Sequence, residues 1–377
     1  MGDRGSGRPT WAEIDLSALS QNLKQLSASI GDRRTIAVVK ADAYGHGAAP
    51  CARTLLRAGA DALAVATVAE AAELRIAGLD CPVLLLEGLH AEDEGDYAHG
   101  EQFSVALGDP AQIPILEAAA ERAGRPVSIH LHLDTGMTRL GIDVEELDSV
   151  LDRLLASGDF SIEGLMSHLA CADEAGSAQT ESQRRVFAGV LSRVRERGIE
   201  PAWIHLDNSP AAIHGATEQT SAVRLGLALY GADPTLERAA RLAPVMSLCS
   251  RLMHVRDVAA GTRVGYGGSY TAQHATRIGI LPLGYADGLP RAAAGRFQVS
   301  VEGQLAPLAG RVSMDLAAVD LGPDAAQVAG AEVLIFGRRH GQSRPIEELA
   351  EACGTIAYEI LTGIGPRVGR VTVRRSA

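Results

Sequence analysis

A chain of 377 residues, 46% hydrophobic and 21% charged, has the composition of an ordinary globular protein with room for two or three domains. Its net charge of −11, with no basic run to offset it, argues against nucleic acid or an anionic membrane surface as a partner. No apolar run approaches the roughly 18–20 residues of a membrane span, and Met1–Thr10 is polar and glycine-rich without the apolar stretch of a signal peptide. The expectation is a cytoplasmic protein with a short flexible tail over residues 1–10.

In chain order, Trp11–Leu16 alternates as a short strand and Ser17–Ile30 has helical spacing. Eight strand signals follow, at Thr35–Val39, Ala62–Ala66, Pro82–Leu86, Phe103–Ala106, Val127–Leu133, Ser161–Ser167, Trp203–Leu206 and Ala222–Arg224. Between most of them lie helical segments rich in Ala, Leu, Glu and Arg, such as Ala48–Ala58, Val68–Ala77, Ala111–Arg122, Glu145–Ala156 and Glu181–Arg197. Alternating strands and helices imply parallel strands joined by crossover helices. Eight of them suggest a closed (β/α)8 barrel over 11–243 rather than an open doubly wound sheet, and no GxGxxG follows the first strand of the repeat. After Ala243 the texture changes to short strands at Val245–Val255, Arg277–Pro282, Phe297–Val301, Val312–Val319 and Glu332–Phe336, separated by glycine-rich turns. Residues 244–377 therefore read as a second, mainly β domain. It includes a short helix at Ile346–Cys353 and a terminal strand at Arg367–Arg374, with the last residues frayed.

A barrel carries its chemistry on the loops at the C-terminal ends of its strands. In this strand count Lys40 ends the first strand, His168 the sixth, Asn208-Ser209 the seventh and Arg224-Leu225-Gly226-Leu227 the eighth, so these groups share one rim. Lys40 is the first polar residue after an apolar run, where burial disfavours its charge and exposes a nucleophilic amine. The Ser209 hydroxyl and the backbone near Gly226 suit a phosphate, although Ser209 equally suits a helix N-cap before Pro210. His130 and His132 alternate along one strand and so share a face, which leaves a zinc hydrolase open as a different reading. The five cysteines lack a CxxC pair and read as reduced, packed thiols, Cys171 near His168 among them.

The segment Ala37-Val38-Val39-Lys40-Ala41-Asp42-Ala43-Tyr44-Gly45-His46-Gly47 closely resembles the cofactor-lysine motif of the alanine racemase family. Further matching segments recur in the family's order: Asp134–Gly141, His205–Ser209, Val223–Gly226, Gly265–Tyr270, Gly284–Gly288 and Gly310–Asp315. The resemblance runs from Arg8–Leu16 to Thr355–Glu359, nearly the whole chain. It implies an α/β N-terminal barrel followed by a C-terminal β domain, binding pyridoxal 5'-phosphate and acting on a small amino acid, with alanine favoured and serine open. Lys40 would hold the cofactor and move a proton on one face of the substrate. Tyr266 would be the acid/base on the other face, reaching into the partner's site in a head-to-tail homodimer. Tyr44, Ser209, Gly226, Leu227 and Tyr358 would bind the phosphate. Arg224 would face the pyridine nitrogen, with His168 between Arg224 and Tyr266. Arg139 and Met314 would position the substrate carboxylate, and Tyr285 with Tyr358 would crowd its side chain. No metal is implied.

These residue types suit racemisation, which needs two proton-moving groups flanking one carbon. A free tyrosine, with a pKa of about 10, is a poor base at neutral pH unless nearby cations lower it, and a His168–Arg224 pair is placed to do so. One departure stands out: where the family often carries a carbamylated lysine, this chain has His132. An imidazole supplies no permanent negative charge, so Arg139 would be held by a bound anion such as chloride, by neutral His132, or less firmly, and bicarbonate would not be needed. A non-enzymatic pyridoxal-phosphate carrier and a two-domain decarboxylase are the other readings. The second domain and Tyr266 argue against the carrier, and the Gly265–Tyr270 and Ser313–Asp315 segments against the decarboxylase.

Overall fold

The computed structural model describes residues 7–93 and 103–375. Residues 1–6 of the expected tail, and the last two residues of the expected frayed end, lie outside that range. The described end of the tail is held. Arg8 donates to Asp287 Oδ1 at 3.1 Å and to the carbonyls of Pro282 and Asp315 at 3.0 Å each. At the other terminus Arg375 pairs with Glu13.

The strand β1 (Thr10–Asp15) leads into helix α1 (Leu16–Ser29), whose first turn is capped by the Asp15 carboxylate accepting from Ser17 and Ala18 N–H. Eight parallel strands then wrap around: β2 (Arg34–Val38), β3 (Ala62–Val65), β4 (Val83–Leu85), β5 (Ser104–Leu107), β6 (Val127–Asp134), β7 (Phe160–Met166), β8 (Trp203–His205) and β9 (Ala222–Leu225). They hydrogen-bond in the order β9-β2-β3-β4-β5-β6-β7-β8. The seam between β8 and β9 is joined by Ser221 N–H to Ile204 O at 2.8 Å and Arg224 N–H to Asp207 O at 2.9 Å. Residues of β3 and β4 are buried on both faces, because side chains fill the barrel interior and helices cover the outside. Those helices include α2 (Ala48–Ala58), α3 (Val68–Ile76), α4 (Ile113–Ala123), α5 (Leu147–Ser157) and α6 (Ala178–Glu196). Thr67 and Glu70 form a capping box at the start of α3, and left-handed glycines at 59, 124 and 158 end α2, α4 and α5.

The second unit is built on a sheet whose main strands are β10 (Met246–Arg251), β13 (Gln298–Val301), β14 (Gln304–Pro307), β16 (Glu332–Arg339) and β17 (Gly369–Val373), after β11 (His254–Val258), β12 (Thr276–Leu281) and β15 (Ala317–Gly322) form a smaller one. The order of the larger sheet is β14-β13-β16-β10-β1-β17. β1, expected within the barrel segment 11–243, thus pairs antiparallel with β10 and parallel with β17, in the second unit's sheet. Its residues are buried along their whole length, and the barrel ring is already complete without it. Buried Asn22 on α1 clamps the passage between the units: its Nδ2 donates to Leu229 O and Ala243 O, and its Oδ1 accepts from Ala243 N–H. The expected strand at 312–319 begins only at Ala317, and the run 245–255 is broken at residues 252–253 into β10 and β11.

Candidate active site

Lys40 lies two residues past the end of β2 and is half-buried at the barrel rim. The next four residues, Ala41, Asp42, Ala43 and Tyr44, take φ values of +52° to +54°, one turn of left-handed helix made without glycine. Each L residue in that conformation costs roughly 1–2 kcal/mol. Bonds from outside the turn offset this. Glu70 Oε1 accepts from Ala41 N–H and its Oε2 from Ala66 N–H, both at 2.7 Å, while Asp42 Oδ1 accepts from Ala48 N–H at 2.7 Å. Arg370, on β17, donates to Gly45 O at 3.1 Å. Gly45 itself has φ +77°, and a Cβ there would stand 2.5 Å from Leu361 O, so no other residue fits.

The turn delivers Tyr44 against Tyr230, ring centroids 4.8 Å apart, and beside Tyr358 at 6.0 Å. Burial, helped by Tyr358, pushes the Tyr44 phenol well above its ordinary pKa, and burial with Asp173 pushes that of Tyr358 up to about 12, so both stay neutral donors. A Cβ on Gly226 would lie 2.5 Å from the Tyr44 hydroxyl. Gly226 N–H donates to Ser209 Oγ at 2.8 Å, which leaves the Ser209 O–H proton to donate elsewhere. The cap of the short helix α7 (Ser209–His214) is Asn208, whose side chain accepts from Ala211 N–H at 3.3 Å, so the alternative role considered for Ser209 falls to its neighbour. Leu227 is buried beside this cradle.

Arg224 is buried and spends its guanidinium on the rim. Its Nη1 donates to His205 Nδ1 at 2.8 Å and His205 O at 2.9 Å. Its Nη2 donates to Ser167 O at 2.6 Å, His168 Nδ1 at 3.0 Å and Leu206 O at 3.1 Å. A guanidinium only donates, so both imidazoles present a bare Nδ1 and carry their proton on Nε2. His205 Nε2–H then donates to His130 Nδ1 at 2.8 Å. Burial and the Arg224 charge lower His168 to about 2 and His130 to about 3, with Arg34 adding to the second, and hold His205 well below its usual value. Burial brings Arg224 down to about 10, which still leaves it charged at neutral pH. The expected pair of cations is therefore one cation, Arg224, acting through a neutral His168.

The Asp134 carboxylate accepts from the N–H groups of Gly136, Met137 and Thr138, shaping the loop that ends in exposed Arg139. Gln183, on α6, donates to Thr135 Oγ1 at 3.2 Å and His168 O at 2.8 Å, pinning the Asp134 loop and the His168 loop together. Buried His132 is lowered to about 4 by burial, Arg224 and Arg139. It makes no hydrogen bond to Arg139 among the described residues, so neutral His132 does not act as that arginine's acceptor. His130 already spends Nδ1 on His205, and among the described residues no three metal-ligating side chains come together.

In the second unit Tyr285 and Met314 sit on adjoining turns: Tyr285 N–H donates to Ser313 O and Ala286 N–H to Met314 O, both at 3.0 Å. Asp287 ties these turns to Arg8 and Arg367. Tyr266 lies on a turn within the small ribbon of Arg263–Val264 and Tyr270–Thr271, and the residue is 70% exposed. No hydrogen bond or ring contact joins Tyr266 to the barrel rim among the described residues. Sequence reading passed over Glu70, His46, Gln183 and the His205–His130 pair. For His46, Gln183, His130 and His205 the signal was polarity at buried positions, and for Glu70 a capping box with Thr67; neither names the partners that give it meaning.

Two family models divide the chain: that for the alanine racemase N-terminal domain matches residues 14–234, and that for its C-terminal domain residues 245–372. The alanine racemase of Desulforamulus reducens is 41% identical over 371 residues, covering 97% of this chain and 99% of that one. That of Stutzerimonas stutzeri is 42% identical over 366 residues, 96% of this chain and 99% of the other. The crystal structure of alanine racemase from D-cycloserine-producing Streptomyces lavendulae superposes with a TM-score of 0.91 at 38% identity, covering 98% of each chain. That of the Bartonella henselae enzyme, with covalently bound pyridoxal phosphate, gives 0.87 at 28% identity, covering 97% of this chain and 99% of that one. The chain belongs to the alanine racemase family.

Proposed function

We propose that this chain interconverts L- and D-alanine with pyridoxal 5'-phosphate held on Lys40. The observation that carries the reading is the cradle beside Lys40, where a Cβ on Gly226 would fall 2.5 Å from the Tyr44 hydroxyl. That space, ringed by neutral phenols and the Ser209 hydroxyl, has the donor chemistry a phosphate requires. Tyr44, Ser209, Gly226, Leu227 and Tyr358 would hold it. When bound, the cofactor supplies an electron sink for the carbon that loses its proton.

The protein supplies geometry and proton groups. Lys40 serves one face of the substrate carbon. Arg224, which would face the ring nitrogen, can only donate, so it would leave that atom unprotonated and thereby limit side reactions. Tyr266 serves the other face from the partner subunit of a head-to-tail homodimer. Support comes from its 70% exposure in the single chain, shared by Tyr285 at 44% and Met314 at 53%, since clustered exposed apolar side chains mark interaction surfaces. His168 carries its proton on Nε2, away from Arg224, where it can meet the Tyr266 oxygen and bring it under the Arg224 charge. Arg139 and Met314 would position the carboxylate, with Tyr285 and Tyr358 limiting the side chain to a methyl. No helix among the described residues is long and apolar enough to cross a membrane. The proposed setting is the cytoplasm, with D-alanine destined for peptidoglycan.

Proton NMR in D2O tests the reaction: alanine should lose its Cα–H signal and form D-alanine. No exchange on alanine refutes the reading, and faster exchange on serine reassigns the substrate. Lys40→Ala and Tyr266→Phe should each be inactive alone. Refolded together, they should regain about a quarter of wild-type activity, because half the dimers carry one intact shared site. A mixture that stays inactive refutes sharing.

A further inference from the structure

We propose that His46 is a positioning residue for the cofactor phosphate, its Nδ1–H holding the left-handed turn that presents Tyr44. The proposal rests on the reading that Tyr44 binds that phosphate. His46 Nδ1 lies 2.9 Å from both Ala43 O and Tyr44 O. Carbonyls only accept, so Nδ1 carries the proton and bridges the last two carbonyls of the strained turn. The ring is completely buried, and burial lowers it to about 4, so it is neutral at physiological pH. Its Nε2 is then a bare acceptor, without a hydrogen-bond partner among the described residues. A buried acceptor left unpaired opposes folding. A side chain serving packing alone would be apolar at this position, so the polar gain lies on the Nδ1 side.

The ring also packs at 4.6 Å, tilted by 32°, against Tyr230, which packs in turn at 4.8 Å, tilted by 30°, against Tyr44 and donates its hydroxyl to Val38 O at 2.8 Å. His46 therefore touches the turn twice, through its carbonyls and through the aromatic layer beneath Tyr44. Four consecutive L residues at positive φ have a competing right-handed arrangement. Without the imidazole bridge, Tyr44 would leave the Gly226 and Ser209 cradle, while Lys40, which precedes the turn, would remain at the end of β2.

The test titrates apoprotein with pyridoxal phosphate and, separately, with pyridoxal, which lacks the phosphate, following the absorbance of the bound ring. His46→Asn keeps an amide N–H near the place of Nδ1; His46→Gln moves it towards Nε2; His46→Leu removes it. Pyridoxal phosphate should bind His46→Asn about as tightly as wild type, and His46→Gln and His46→Leu about tenfold more weakly, the scale of one lost buried hydrogen bond. Pyridoxal should bind all four proteins alike. Equal loss for both ligands, or no difference between Asn and the other two variants, overturns the proposal. If His46→Leu does not fold, the Asn and Gln pair decides. Wild-type protein that binds no pyridoxal phosphate refutes the functional reading itself. Wild type that binds, with Tyr44→Phe weakened and the His46 variants unchanged, refutes the His46 proposal alone.

Discussion

Acid should unfold this protein through five imidazoles that the fold keeps neutral: His168 at the rim, held at about 2 by burial and Arg224, and four that are almost fully buried. His46, His130, His132 and His205 are between 0% and 5% exposed. Burial brings His46 and His132 to about 4 and His130 to about 3, and sets His205 well below 6.5. His205 has the clearest reason: its Nδ1 accepts from Arg224, so a proton there would face a guanidinium N–H. In the unfolded chain each has a pKa of about 6.5 and is roughly nine-tenths protonated at pH 5.5. Unfolding at pH 5.5 should therefore take up about 4.5 protons per chain from these groups, and almost none at pH 8. Because the unfolded state binds more protons, their contribution to stability is complete above pH 6.5 and falls as pH drops towards 4. The slope is about 1.4 kcal/mol per pH unit for each group, or about 6 together near pH 5. Unfolding in urea at constant pH, with the titrant recorded, counts the protons without assuming a two-state transition. His130→Gln should lower the count by about one. An uptake below one proton per chain at pH 5.5, or a urea midpoint unchanged between pH 7 and pH 5, would refute the reasoning.

Gly226→Ala places a methyl 2.5 Å from the Tyr44 hydroxyl and should weaken pyridoxal phosphate at least about tenfold, since either the phenol or the Gly226 backbone must move; unchanged affinity in the same apoprotein titration would show that this cradle is not the phosphate site. With neutral His132 where a carbamylated lysine is often found, added bicarbonate should leave the racemisation rate unchanged, and a clear rise would contradict the assignment.

Much of the site was legible because its elements announce themselves locally. The run from Thr35 to Val39 ending in Lys40 is an apolar strand meeting a loop, and the strand count alone brings His168, Ser209 and Arg224 to one rim. The left-handed turn was not legible, since Ala41, Ala43 and Tyr44 disfavour positive φ and Asp42 tolerates it only as a single residue; Glu70, Asp42, Arg370 and His46 hold it from outside or across the turn. The choice between Ser209 and Asn208 as helix cap also needed three dimensions, because Gly226, which claims Ser209, is 17 residues away.

The sequence by itself determined the alternation of strands and helices, the β-rich second part and the residue types at the rim, because side-chain periodicity and glycine placement act over a few neighbours. Tertiary structure decided which sheet accepts β1, which imidazoles are neutral and where their protons sit. Those outcomes depend on partners far apart in the chain. β1 joins β10 and β17 because the barrel closes on β9 without it. His205 is fixed as a neutral donor to His130 only because folding buries it beside Arg224.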